Sequence, residues 1–99
     1  MKTILENVRE IAKPFEKDEE FYWNCIVEDE DEEEYTELWL ETEVENFLKE
    51  LKGSGKIIDY NIQSEQLFSS PGYDCGYIAV SWIEEDYTLQ LVVFNWDYD

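Results

Sequence analysis

Carboxylates are the residues of this chain on which chemistry could be built. Seven stand in an unbroken run, Glu28, Asp29, Glu30, Asp31, Glu32, Glu33 and Glu34, with Asp18, Glu19, Glu20, Glu37 and Glu41 close by. A cluster of this kind can attract lysine and arginine, hold a hard cation such as calcium, or supply the acid and base of a glycoside hydrolase. The pattern speaks against the second and third uses. An EF-hand loop alternates its ligands and bends at a glycine, and residues 16–52 contain no glycine. A glycosidase pair needs a deep substrate cleft, for which 99 residues leave little room.

Other catalytic equipment is scarce. Histidine, the commonest general acid and base, is absent, and no Ser, Thr or Cys has a recognisable activating neighbour. Cys25 and Cys75 stand alone, without companions at the spacing of zinc ligands. Gly53-Ser54-Gly55-Lys56 lacks the spacing of a phosphate loop and ends a helical pattern, so helix-stop chemistry explains it better. The chain is therefore expected to carry no catalytic, cofactor or metal site and to take no small-molecule substrate.

Recognition of something basic remains. Twenty-six acids against seven lysines and arginines give a net charge of −19, and the charge is uneven. Residues 1–15 are net +1, residues 16–50 net −14 and residues 51–99 net −6. Such a field steers a cationic partner, raising its association rate by roughly 10–1000-fold, and disfavours direct contact with nucleic acid or an anionic membrane. A composition that is 43% hydrophobic and 16% aromatic still allows a folded core. The expectation is one domain over residues 1–99, read as cytoplasmic because neither a membrane-length apolar run nor a signal-peptide pattern is present, with its thiols reduced.

The elements that must position these side chains follow from periodicity. Ile4, Leu5, Val8, Ile11, Ala12 and Phe15 share a helical stripe that begins with the capping pair Thr3 and Glu6 and runs out near Pro14, which predicts a helix over 3–13. Residues 21–27 are aromatic and β-branched, and residues 35–41 alternate, so two strands form a hairpin with the acidic run at its tip. Thr42 and Glu45 predict a second capped helix, closed by Gly53-Ser54-Gly55. Ile57 to Gln63 predicts a third strand, residues 64–76 a loop, and residues 77–83 and 87–96 a closing hairpin around Glu84-Glu85-Asp86. The expected fold is α+β in the order α-β-β-α-β-β-β, a mostly antiparallel five-stranded sheet with both helices on one face.

Two readings attach to the acidic run: a solvated hairpin tip, or a docking surface for Lys and Arg formed with Asp18, Glu19, Glu20, Glu37 and Glu41. Most of the four Trp, seven Tyr and five Phe belong in a core, but Trp39 lies among the carboxylates and the terminal Trp96-Asp97-Tyr98-Asp99 alternates ring and acid, as interface anchors do. The size, the charge and this acidic-aromatic tail together resemble the immunity proteins that bacteria make against nuclease toxins of contact-dependent and colicin-like systems. The resemblance implies a heterodimer with a basic nuclease domain, held by Glu28–Glu34, Glu37, Trp39, Glu41, Trp96, Asp97 and Tyr98, that covers its nucleic-acid-binding or active-site surface. The alternative is a DNA mimic of the anti-restriction or anti-CRISPR kind, which presents carboxylates at phosphate-like positions.

Overall fold

The computed structural model describes residues 2–17, 20–28 and 35–98, and its first helix, α1 (Ile4–Ala12), starts where Thr3 predicts. The Thr3 side chain accepts from the Glu6 backbone N–H at 3.1 Å, and a 3-10 turn at Lys13–Phe15 absorbs Pro14. Two short strands, β1 (Glu16–Lys17) and β2 (Glu20–Phe21), pair antiparallel. Then come β3 (Asn24–Glu28) and β4 (Tyr35–Trp39), an antiparallel hairpin whose last described pair is Glu28 with Tyr35. Asp29 to Glu34, six of the seven carboxylates of the run, join those strands and lie outside the described residues.

The second helix, α2 (Leu40–Gly53), begins two residues before the predicted capping box. Leu40 is fully buried and its N–H donates to the Trp23 carbonyl at 3.0 Å, so the core draws the chain into the helix directly from β4. Trp39 takes the cap position without a side-chain hydrogen bond, and Thr42 falls in the first turn. The helix closes as expected, with the Lys56 N–H donating to the Leu51 carbonyl at 2.9 Å.

A meander of three strands completes the fold: β5 (Ile57–Ser70), β6 (Tyr73–Glu84) and β7 (Leu89–Tyr98), antiparallel with β6 in the centre. The predicted loop over 64–76 is instead the far half of a long hairpin, because Pro71-Gly72 makes a two-residue link with Ser70 opposite Tyr73. Gly72 has φ +90°, which the second central position of a type II turn after proline requires. Residues 63–69 of β5 are exposed on both faces, so polarity there reflects a projecting arm with a register shift between Gln66 and Phe68.

The single five-stranded sheet is also corrected. Among the described residues, β3–β4 form their own two-stranded sheet beside the three-stranded one. Ring contacts link the meander to the segment before β3: Phe21 stacks on Phe94 at 5.2 Å and Trp23 on Trp96 at 5.3 Å.

One apolar cluster joins the parts. Val8, Ala12 and Phe15, then Leu40, Val44 and Leu48 from α2, meet Ile57, Ile78, Val80, Trp82 and Trp96 on the inner face of the meander. The outer face is less covered: Leu89, Leu91 and Val93 of β7 are 67%, 65% and 47% exposed. No helix among the described residues is long and apolar enough to cross a membrane.

Candidate functional site

A missing side chain starts the site. Gly76 pairs with Trp96 across β6 and β7, and a Cβ at residue 76 would fall 2.6 Å and 2.8 Å from Cζ2 and Cε2 of that indole and 2.2 Å from the Glu65 carbonyl oxygen. Only glycine lets Trp96 lie down over β6, where it is 6% exposed. Trp23, held between β2 and β3 by the bond from Leu40, stacks on Trp96 with 26° between the planes. Trp39, the last residue of β4, stands edge-on to Trp23 with centroids 4.3 Å apart and planes 72° apart. Being 38% exposed, it forms the open wall.

The three indoles bound a pocket of about 220 Å³, with Glu41, Ser64, Glu65, Gln66 and Ile78 as the rest of its lining. Glu41 sits in the first turn of α2, where the helix dipole favours an anion. The Ser64 hydroxyl donates to its Oε2 at 2.9 Å, tying helix to arm, and Oε1 has no partner among the described residues. Glu65 is different, since its carboxylate accepts from the Tyr77 hydroxyl at 2.8 Å and holds that phenol above its usual pKa. Glu65 and Tyr77 are paired on the outer face of the meander, so Glu41 is the carboxylate that serves the pocket. The Trp23 indole N–H is buried without a partner among the described residues.

No protein-family model, curated protein or solved structure matches this chain. Function has to be read from the site. Pockets for drug-sized ligands run to about 300–1,000 Å³, so this one suits a single side-chain head better than a substrate. Electron-rich ring faces beside one carboxylate attract a cation. Among the described residues no group of three or more Cys, Asp or Glu could hold a metal ion.

The structure brings Trp39, Glu41 and Trp96 together from 57 positions of sequence. Glu37 lies outside the pocket lining on β4, exposed and accepting from the Asn24 amide at 2.6 Å. Asp97 is exposed and accepts from the Tyr73 hydroxyl at 2.9 Å, while Tyr98 ends β7 opposite Asp74, so the tail is a paired strand as far as Tyr98. Glu28 ends β3, and Asp29, Glu30, Asp31, Glu32, Glu33 and Glu34 lie outside the described residues. Trp23, Ser64 and Gln66 were not candidates by sequence. Gly76 falls at the end of the segment read as a loop, so its pairing with Trp96 follows only from the observed register.

Proposed function

We propose that this protein is a non-catalytic binding protein that captures and neutralises a basic protein partner, as an immunity protein covers the nucleic-acid-binding or active-site surface of a nuclease toxin. The observation that carries this reading is the tryptophan pocket with Glu41 at its edge, set in a chain of net charge −19. The two features divide the work. Tyr35, the residue that follows the run, stands four strand residues from Trp39, roughly 13 Å at about 3.3 Å per residue, which exceeds the screening length of about 10 Å in 0.1 M salt. At that range the acidic run steers an approaching partner, and the pocket grips it.

The mimic reading fits less well. It calls for carboxylates in long rows, whereas charge here is concentrated in residues 16–50 and β7 exposes Leu89, Leu91 and Val93. The test is to sequence the neighbouring genes and, where one encodes a basic nuclease domain, to mix that domain with the protein. A one-to-one complex and stoichiometric loss of nuclease activity are expected. An active nuclease at equimolar protein would sink the immunity reading, and equal inhibition of several unrelated DNA-binding proteins would replace it with mimicry.

A further inference from the structure

We infer that the pocket between Trp23, Trp39 and Trp96 is a receptor for one arginine side chain, whose guanidinium lies on the Trp39 face and donates to Glu41. This deepens the binding function proposed above and rests on it only for the origin of the arginine; the chemistry of the pocket stands apart from any partner.

Three observations lead to a guanidinium. The first is the wall. Trp39 is 38% exposed, lines the pocket and is held by its T-shaped contact with Trp23, so a fixed part of its indole is open to a ligand. A flat, delocalised, weakly hydrated cation stacks on such a surface, whereas an ammonium keeps its water and gains less. The second is the acceptor. Glu41 has Oε2 engaged by Ser64 and leaves Oε1 without a partner among the described residues, so the carboxylate is already oriented. The arm adds the side-chain amide of Gln66, a second acceptor for the guanidinium fork. The third is the size. About 220 Å³ accepts a side-chain head but no folded element.

The floor is prepared as well. Trp96 is seated over Gly76 and stacked by Trp23, so the pocket needs little rearrangement to receive a ligand. Preorganisation of this kind reduces the ordering cost of binding.

The tryptophans supply the assay. Trp82 lies in the core at 1% exposure, outside the pocket lining, and serves as an internal control. The protein, labelled with ¹⁵N, is titrated with N-acetyl-arginine amide at constant ionic strength while the four indole N–H signals are followed. Saturable shifts of the Trp23, Trp39 and Trp96 signals with Trp82 unmoved are expected, as is a weakening of at least about tenfold in Glu41→Gln, whose fold the same spectrum checks. Equal shifts from N-acetyl-lysine amide, movement of all four indoles alike, or no saturable shift would each overturn the assignment. Binding of the arginine probe by a protein that inhibits no nuclease would leave the receptor intact and sink the immunity reading. Nuclease inhibition without a probe response would sink the receptor alone.

Discussion

Trp39 and Trp96 line the same pocket, yet they answer to different forces. Trp96 is 6% exposed inside the core cluster, so Trp96→Ala should cost about 3–5 kcal/mol in urea unfolding, the usual range for a buried ring. Trp39→Ala should cost no more than about 1 kcal/mol in stability but at least about 2 kcal/mol in partner affinity by calorimetry. Unchanged affinity in the Trp39 variant would remove it from the site. Tyr73 offers a titration. Its hydroxyl donates to Asp97, and ionising it would set two negative groups together, so its pKa is pushed up to about 12. That contribution is fully present below pH 10 and is lost as the pH rises from 10 to about 12. The difference in phenolate absorbance between the native protein and Tyr73→Phe should therefore show a step near 12, and Asp97→Asn should lower it. At this scale Trp39, Glu41 and Trp96 were legible because ring and acid alternate around them. Trp23 was not, since its aromatic surroundings read as ordinary strand core.

Among the elements, legibility followed the strength of local signals. The helical stripe and cap of α1 and the glycine stop of α2 could be read directly, and the hairpin flanking the acidic run emerged with its pairing from Asn24–Trp39 to Glu28–Tyr35. The far half of β5 was hidden because an arm exposed on both faces has no apolar alternation to betray it. The start of α2 moved because burial of Leu40 outweighed capping by Thr42. The separation of the sheets was hidden too, since the alternation within a strand does not say which strand it pairs with. The turn from β6 to β7 holds a further conflict. Tyr87 sits at φ +68° and is 81% exposed, its N–H donating to the Glu84 carbonyl at 2.9 Å. A left-handed backbone costs a non-glycine residue about 1–2 kcal/mol. Tyr87→Gly should therefore raise stability by roughly 1 kcal/mol or slightly less after glycine's larger unfolding entropy, measured by denaturant midpoint. A lowered midpoint would mean that the exposed ring makes a stabilising contact.

For the molecule as a whole, field and grip are carried by different parts. Reversing Glu30, Asp31, Glu33 and Glu34 to Lys should slow association with a basic partner by about tenfold or more at low salt, with the dissociation rate little changed and the difference shrinking as salt rises. Stopped-flow mixing at two ionic strengths measures it, and an equal on-rate at low salt would make the run a bystander. The radius of gyration, 14.9 Å against about 13 Å for a compact chain of this length, accompanies a β5–β6 arm whose residues 63–69 are exposed on both faces. Ser64 and Gln66 reach the pocket from this arm, so part of the site is built on an element with few packed neighbours. The stack of Trp23 on Trp96 at 5.3 Å has an optical meaning. Two indoles that close, with planes turned by 26°, couple their ultraviolet transitions with a handed offset, so the empty protein should give a split circular-dichroism band. Occupation of the pocket would then be visible as a change in light absorption by the protein itself, with no label attached.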